Sequence, residues 1–375
     1  MITKSCGVYV HIPFCLSKCA YCDFLSVPLR GDGGAGRYAR ALINEINACR
    51  LLDGRVIDTI YIGGGTPTVL PAEYLTDIIL SLRRFDIAAS AEFTVEANPG
   101  TVDVLKLSAL KSLGANRLSL GLQAWQDAHL RKLGRAHTKD QFVEAYKTAR
   151  ATGFDNINID VMFALPGQTM PEWAETLENL AALAPEHISA YALTIEPETP
   201  LGRAAGAGEI TPAGDDTDRD MYHHAQRFLA ESGFRQYEIS NFAKPGRESR
   251  HNVNCWRRAE YVGFGAGAHS FFGGARFRNS SDIHAYIESG GLCPAESAKL
   301  TRAEAAAEFM FLGLRLTDGV READFKESFG LDIDEVYGGQ VAALCGKGLL
   351  VRRGGVIKLT REGIDLANRV FIEFI

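Results

Sequence analysis

Three cysteines, Cys15, Cys19 and Cys22, stand within eight positions of each other in the stretch VHIPFCLSKCAYCDFLS. Soft thiolates select zinc, copper(I) or iron–sulfur clusters. Structural zinc normally takes four protein ligands, and an iron–sulfur cube normally takes four cysteines, so a cube held by three would keep one iron free for a small molecule. Buried cysteines or a Cys19–Cys22 redox pair are the alternatives. The third cysteine favours the cluster.

The remaining cysteines do not supply a fourth ligand. Cys6 stands before the apolar run 7–13, and a strand rises about 3.3 Å per residue, which puts Cys6 about 20 Å from Cys15. The cysteines that more often serve only packing are Cys49, Cys293 and Cys345.

Residues suited to a second ligand stand at or near the ends of other apolar runs. The stretch YIGGGTPT ends one run with three glycines, whose bare backbone lets a ligand approach closely, although a tight turn also explains them. Glu96 and Gln123 close the next two runs, Arg135 follows, and Asp160 lies within the run after that. An arginine fork can hold a carboxylate, whereas carboxylates and a glutamine suit an ammonium group and a ribose diol.

An alternation of strands and helices must position these residues. Strands are predicted over 7–13, 58–64, 92–98, 117–123, 156–163 and 187–194, and helices over 37–52, 72–84, 103–113, 139–152 and 172–183. Six strands separated by helices predict parallel βαβ units and an α/β fold, a partial (β/α)6 barrel rather than a closed eight-stranded one. Functional residues of such barrels lie at the carboxyl ends of the strands, as the candidates other than Asp160 do.

The second half of the chain is predicted to contain a connector and a separate module. The Gly-, Ala- and Asp-rich text over 195–220 predicts a mobile connector, and a helix follows at about 216–232. Residues 301–375 predict a small winged-helix-like α+β module, with a helix over 301–315 and a later hairpin, LLVRRGGVIKLT. The module carries 10 Lys+Arg and 12 Asp+Glu. Its net charge of −2 favours packing against the barrel or a partner over DNA binding.

Composition excludes several classes of protein. The 375 residues carry a net charge of −6, and 46% are hydrophobic, which predicts a large core and no nucleic-acid partner. No apolar run approaches the roughly 18 residues of a transmembrane segment, and the N-terminus does not resemble a secretory leader. Eight mostly scattered cysteines do not form a disulfide pattern, so a reducing cytoplasm is predicted.

The C-x3-C-x2-C spacing resembles the signature of the radical S-adenosylmethionine (SAM) superfamily. The resemblance implies that Cys15, Cys19 and Cys22 hold a 4Fe–4S cluster whose open iron is chelated by the amino and carboxylate groups of SAM. Electron transfer from the cluster would then split SAM into methionine and a 5′-deoxyadenosyl radical. Three regions are implied: a radical SAM partial barrel over 1–210, a barrel extension over 211–300 and the C-terminal module over 301–375.

A closer resemblance covers essentially the whole chain. The stretches YVHIPFC, YIGGGTPT, LSLGLQAW, INIDVMFALPGQT and HISAYALTIEP are similar to the branch that holds the oxygen-independent coproporphyrinogen III oxidase and the heme chaperone HemW family. The SAM-contacting residues that this resemblance implies are Tyr9, Tyr21, Gly64, Gly65, Thr66, Glu96, Gln123, Arg135 and Asp160.

The branch offers two functions, a decarboxylating oxidase and a carrier that binds heme and hands it to an acceptor protein. The oxidase resembles C-x3-C-x2-C-x-C with a long N-terminal extension, whereas this chain has Phe24 at the additional cysteine and starts 14 residues before Cys15. The chaperone branch has an H-N-x-x-Y-W motif, and this chain has HNVNCW, in which Cys255 replaces the tyrosine. The resemblance therefore favours a heme chaperone with His251 as heme ligand, a SAM site competent for SAM cleavage, and no coproporphyrinogen oxidase activity.

Overall fold

The computed structural model describes residues 5–31 and 34–375. The strands are β1 Ser5–Ile12, β2 Phe14–Cys15, β3 Val27–Pro28, β4 Val56–Gly64, β5 Asp86–Ala97, β6 Arg117–Gln123, β7 Ile157–Phe163, β8 His187–Ala192, β9 Arg235–Glu238, β10 Asn241–Ala243, β11 Tyr261–Phe264, β12 His269–Phe272, β13 Ala275–Asn279, β14 Pro294–Lys299, β15 Val320–Arg321, β16 Leu350–Arg353 and β17 Val356–Leu359. The helices are α1 Ala35–Ala48, α2 Ala72–Leu82, α3 Val104–Ser112, α4 Asp127–Lys132, α5 Lys139–Ala151, α6 Met170–Leu183, α7 Pro200–Gly206, α8 Asp215–Glu231, α9 Arg250–Trp256, α10 Ile283–Glu288, α11 Arg302–Gly313, α12 Glu322–Phe329, α13 Ile333–Gly346, α14 Arg361–Asp365 and α15 Ala367–Phe371.

The six predicted strands are neighbours in one sheet. The order β14-β13-β12-β11-β1-β4-β5-β6-β7-β8-β10-β9 contains β1, β4, β5, β6, β7 and β8 side by side, and each pairs with the next in parallel. The predicted α/β fold with a partial barrel of six parallel strands is therefore confirmed. The structure adds a seventh parallel strand, β11, on the other side of β1, and antiparallel strands at both edges.

Burial explains why these strands form a parallel sheet. β6 has six buried residues in a row and β7 is buried at all but one position. Burial that continues along the strand is typical of parallel strands whose two faces are both covered. One face packs on the helices, and the other lines the barrel interior, where the few polar side chains are concentrated.

The predicted helices also form, and their ends are set by local capping. Thr138 starts α5 and Thr169 starts α6, each in a capping box with the third helical residue. The expectation of a mobile connector over 195–220 was wrong for its first half, which forms α7. Thr199 caps this helix by accepting from the Gly202 N–H at 3.0 Å, and Pro200 occupies its first turn.

The C-terminal module has its own hydrophobic core. Its buried cluster includes Met310, Phe325, Ile357 and Val370 and is distinct from the cluster of the barrel. The strands β15, β17 and β16 form an antiparallel sheet beside helices α11 to α13, as a winged-helix-like module requires. The three region boundaries remain a prediction, and residues 1–4 and 32–33 of the first region lie outside the described residues. In the described part of the chain, no helix has the length and apolar character needed to cross a membrane.

Candidate functional site

The cysteine loop follows β1 and is closed at its base by the short strands β2 and β3. Cys15 is paired with Pro28 in parallel register. The Leu29 N–H donates to the Cys15 carbonyl at 2.8 Å, and the Val27 N–H donates to the Pro13 carbonyl at 2.8 Å. The two ends of the loop are therefore fixed together at the carboxyl end of β1.

The middle of the loop is attached to two other parts of the molecule. The Ala20 N–H donates to the Leu133 carbonyl at 2.9 Å, and the Leu201 N–H of α7 donates to the Ala20 carbonyl at 2.8 Å. Leu201 is buried. The segment that was expected to be a mobile connector therefore holds the cysteine loop in place.

The three predicted thiols are half-buried and have polar neighbours. The Thr66 hydroxyl donates to Cys15 Sγ at 3.6 Å, and Arg135 donates to Cys19 Sγ at 3.6 Å. Burial raises the pKa of the Cys15 and Cys22 thiols above the ordinary value. A cation that binds these sulfurs must therefore displace protons.

The chemistry of the three thiols fits an iron–sulfur cluster. Among the described residues, no three His, Cys, Asp or Glu side chains converge closely enough to hold one metal ion. Yet all three thiols border one cavity of about 540 Å³. Soft thiolate donors that border one cavity suit a cube with several irons. The donor set of three thiols fits a 4Fe–4S cluster with one iron free of protein ligands.

The cavity brings together eleven of the thirteen predicted site residues. These are Cys15, Cys19, Cys22, Tyr21, Gly64, Gly65, Thr66, Glu96, Gln123, Arg135 and Asp160. The cavity opens at the carboxyl ends of the parallel strands, as the position of functional sites in such barrels predicts. Tyr9 and His251 do not border it.

The glycine stretch at the end of β4 is required by close packing. Gly64 has a φ of 111°, which favours glycine, and a side chain there would overlap the His11 ring. A Cβ on Gly65 would lie 2.6 Å from the Phe14 carbonyl oxygen. The Gly65 and Thr66 N–H groups donate to the Ile12 and Phe14 carbonyls at 2.8 and 2.7 Å, which joins the end of β4 to the start of the cysteine loop.

Glu96 lies in the barrel interior at the end of β5. Tyr61 donates to its Oε1 at 2.7 Å and the Gly64 N–H donates to its Oε2 at 3.1 Å. Burial raises the pKa of the Glu96 carboxyl to about 7, and the negative charge of Asp160 acts in the same direction. Glu96 therefore changes protonation state close to neutral pH.

Gln123 and Arg135 lie around the end of β6. Gln123 has a φ of 72° at a register irregularity between β6 and β7, which is rare for a residue with a side chain and marks local strain. Arg135 donates to the Gly121 carbonyl at 2.9 Å and also to the Asn98 Oδ1. Asn98 in turn donates to Thr66 Oγ1 at 2.7 Å.

Asn98 is a site residue that the sequence reasoning missed. It connects Arg135, which touches Cys19, with Thr66, which touches Cys15. The feature of the sequence that could have identified Asn98 is its position, two residues after Glu96 at the end of β5 and directly before Pro99. Tyr61 was missed because it lies inside an apolar run.

Asp160 is held by polar neighbours deeper in the barrel. Its Oδ2 accepts from Ser119 at 2.9 Å and its Oδ1 accepts from Asn158 at 2.8 Å. Asn158 also interacts with His187 at 2.6 Å. This network fixes the carboxylate so that one side remains open to the cavity.

Tyr9 lies next to the cavity lining rather than on it. Its hydroxyl interacts with His11 Nδ1 at 2.9 Å, and its ring is stacked near that of Tyr61, with 6.3 Å between the ring centres. Tyr9 supports the residue that donates to Glu96. Direct contact between Tyr9 and SAM stays a prediction.

His251 is buried in a different part of the barrel interior. The ring Nδ1 of His251 interacts with the Thr59 hydroxyl at 3.0 Å, and the ring centre lies 5.3 Å from that of Tyr61. The backbone N–H of His251 donates to Glu92 Oε1 at 3.0 Å. Gly7, at the start of β1, is a further neighbour, so His251 is at the opposite end of the strand from Cys15. Burial lowers the pKa of His251 to about 4. The imidazole is therefore neutral. Because it is buried, it is not accessible in this conformation to a macrocycle that approaches from the protein surface.

The chain matches two family models. The model of the radical SAM superfamily matches residues 9–180, and the model described as HemN C-terminal domain matches residues 300–366. The first match contains the cysteine loop and the strands from β4 to β7, and the second coincides with most of the C-terminal module.

Two curated relatives match over nearly their full length. The "Heme chaperone HemW" of Lactococcus lactis subsp. lactis (strain IL1403) is 36% identical, and the match covers 100% of this chain and 98% of the relative. The "Heme chaperone HemW" of Bacillus subtilis (strain 168) is 38% identical, with 98% and 99% covered.

A solved structure has the same fold. The coproporphyrinogen III oxidase (HemN) from Escherichia coli superimposes with a TM-score of 0.87 over 99% of this chain and 90% of that one. The two sequences are 24% identical, so this likeness shows the shared fold and not a shared activity.

Proposed function

The chain belongs to the heme chaperone HemW family of the radical SAM superfamily, and from this premise we propose that it binds a 4Fe–4S cluster and SAM and transfers heme to an acceptor protein. The full-length similarity to relatives named heme chaperones carries the proposal. An oxygen-independent coproporphyrinogen III oxidase is the alternative, and it draws support from the shared fold alone.

Cys15, Cys19 and Cys22 would hold the cluster, which when bound supplies the electron for cleavage of SAM. Thr66 and Arg135 would donate hydrogen bonds to two of the thiolate sulfurs, as they do to the thiols. Donors to sulfur stabilise the electron-rich state of such a centre. The attachment of the loop to the barrel through Ala20 keeps the sulfurs in place.

The polar residues around the cavity would bind SAM. Arg135 provides a planar donor for a carboxylate, and Glu96 and Asp160 provide acceptors for ammonium and ribose hydroxyl groups. The backbone of Gly64 and Gly65 leaves room for close approach. Tyr21 borders the same cavity beside the thiols.

Phe24 favours the chaperone over the oxidase. It stands at the position of the oxidase's additional cysteine, and its side chain is 66% exposed. The HNVNCW segment, which forms α9, is similar to the motif linked to heme in the chaperone branch. If His251 is an axial ligand of the heme, α9 must first move away from Thr59 and Glu92.

The remaining parts of the proposal concern partners and compartment. All eight cysteines lie in the described residues and are free thiols, which suits a reducing compartment, and we propose the cytoplasm. The partners would be SAM, heme and a heme-acceptor protein. Nucleic acid is not proposed as a partner because the net charge is −6.

Anaerobic reconstitution tests the cluster. We expect close to four irons and four sulfides per chain in the unaltered protein and a large loss in Cys15→Ala, Cys19→Ala or Cys22→Ala. Cys345→Ala is the matched control, because Cys345 packs against the core of the C-terminal module. Full iron content in all three loop variants would contradict the assignment.

Two further assays separate the functions. Hemin added to the unaltered protein should produce a shifted Soret band, and transfer to an apo-acceptor should remove it. Equal Soret spectra for the unaltered protein and His251→Ala would exclude His251 as ligand. Conversion of coproporphyrinogen III to protoporphyrinogen IX by the reduced protein with SAM would overturn the chaperone proposal.

A further inference from the structure

A second cavity, which shares no lining residue with the cavity at the cysteine loop, lies between α9 and the C-terminal module. Its volume is about 870 Å³. One wall is formed by the end of α9 and the two residues after it, Trp256, Arg257 and Arg258. The opposite wall comes from α11, α12 and the hairpin of β16 and β17. The cavity exists only because the module packs against α9.

The charges around this cavity are unbalanced. Five cationic and two anionic side chains border it. Both carboxylates already have partners, since Asp318 pairs with Arg235 at 2.6 Å and Asp324 pairs with Arg321 at 3.8 Å. The cations that form no ion pair with any other described residue are Arg257, Arg353 and Lys358. The cavity therefore has an excess of positive charge that suits a ligand with more than one carboxylate.

The uncharged part of the lining is mostly apolar. Trp256 lies on one wall, and Phe309, Leu316, Val320 and Val351 lie among the others. The guanidinium of Arg315 covers the Trp256 ring at 4.3 Å. The Trp256 Nε1 is buried and has no hydrogen-bond partner within the described part of the chain. An aromatic plane between cationic side chains is suited to a planar apolar ring system with acidic substituents.

The same lining lacks the usual ligands of heme iron. No His, Cys, Met or Tyr occurs among the described residues that border the cavity. A macrocycle in this place would be held by its ring surface and its carboxylates, and the iron would remain open. Binding that does not depend on the iron would make release to an acceptor easier, because the acceptor has no protein–iron bond to displace.

Resting on the proposed function, we infer that this cavity is the heme-binding site, in which Trp256 contacts the porphyrin ring and Arg257, Arg353 and Lys358 bind the two propionates. The site thus combines the α9 motif with the hairpin of the C-terminal module. It is separate from His251, which is buried in the barrel five residues before Trp256 on the same short helix. The C-terminal module therefore acts as one half of the site.

The test compares hemin, iron-free protoporphyrin IX and protoporphyrin IX dimethyl ester on the full-length protein. Dissociation constants are measured by fluorescence quenching and by the Soret band. We expect hemin and protoporphyrin IX to bind within a few-fold of each other, and the dimethyl ester to bind roughly tenfold or more weakly because its charge-assisted contacts are lost. A dimethyl ester that binds as tightly as the diacid, or a protoporphyrin IX that does not bind where hemin does, overturns the inference.

Charge-reversal variants locate the site. The substitutions are Arg257→Glu, Arg353→Glu and Lys358→Glu. All three positions are exposed, so the variants should fold. Each variant should bind hemin roughly tenfold more weakly than the unaltered protein. Lys347→Glu is the control, because Lys347 is an exposed cation of the same module that does not border the cavity. Equal hemin affinity in the three variants, or an equal loss in Lys347→Glu, overturns the inference and leaves the chaperone proposal intact. No hemin binding by the unaltered protein would reject both.

Discussion

The chemistry of the cysteine loop depends on the neighbours of the sulfurs as much as on the sulfurs themselves. The spacing of three cysteines could be read directly from the sequence, and so could Glu96, Gln123 and Arg135 as residues near strand ends. The link through Asn98 could not be predicted from the sequence, because a single asparagine before a proline is a common turn signal. Only the fold shows that it bridges Thr66 and Arg135.

At the same scale, Glu96 predicts a pH dependence of SAM binding. Its pKa is raised to about 7, mainly by burial, and a ligand whose hydroxyl or ammonium groups donate to it binds the ionised form. SAM affinity should therefore rise about tenfold between pH 6 and pH 8, as the ionised fraction rises. Equilibrium dialysis of the reconstituted protein measures this rise. In Glu96→Gln, binding should be weaker and its pH dependence smaller; an unchanged pH profile would contradict the role of Glu96.

At the scale of elements, the buried strands were the most predictable part of the molecule. Short segments rich in apolar residues, such as RLSLGLQ with its three leucines, could be assigned as strands that alternate with helices, and the six predicted strands are neighbours in the sheet. β11 was missed because it has only four residues and lies far along the chain from β1, its partner. α7 was missed because its Gly- and Ala-rich text looks like a linker, although Thr199 and Pro200 are helix-start signals.

The junction between β4 and the cysteine loop predicts the effect of a single methyl group. Gly65→Ala would place a Cβ 2.6 Å from the Phe14 carbonyl oxygen, so the hydrogen bonds of Gly65 and Thr66 to the loop must lengthen. We expect a lower iron and sulfide content after reconstitution, with the overall helix content by circular dichroism unchanged. Gly339→Ala is the control, because Gly339 lies in α13 with open space around its Cα. That change should keep the cluster and stabilise α13 by about 0.5–1 kcal/mol; a Gly65→Ala variant with full cluster content would contradict the prediction.

At the scale of the whole molecule, buried histidines make stability depend on pH. The folded-state pKa of His251 is about 4, whereas the unfolded value is near 6.5, so the unfolded chain binds the proton first. The resulting stability is present above about pH 6.5 and is lost as the pH falls toward 4. Between pH 7 and pH 5, His251 should account for about 2 kcal/mol of the loss.

Urea unfolding at the two pH values measures this contribution. His251→Asn should lower stability at pH 7, because Thr59 loses part of its polar contact, but should reduce the additional loss at pH 5. His284→Asn, at an exposed position of α10, should behave like the unaltered protein. An identical acid-induced loss in His251→Asn and in the unaltered protein would show that His251 is not protonated on unfolding.

The attachment of the C-terminal module to the barrel depends on Glu308 of α11. This buried carboxylate pairs with Arg258, just after α9, at 3.0 Å, and with Arg276 of β13. Removal of one member of a buried ionic group leaves uncompensated charge and costs about 3 kcal/mol. Both arginines also lie over the Phe271 ring, so they would remain at the interface without their shared acceptor.

Glu308→Ala should therefore loosen the module without unfolding it, because the module has its own core around Phe325 and Ile357. In calorimetry, the unfolding transition of the module should move to lower temperature, whereas that of the barrel should not move. Glu327→Gln, at an exposed position of α12, should change stability by less than about 0.5 kcal/mol. Since Arg258 forms part of the cavity wall beside Trp256, hemin affinity should fall in Glu308→Ala while iron and sulfide content stays constant. A loss of cluster with unchanged hemin affinity would mean that the module supports the cysteine loop and not the heme cavity.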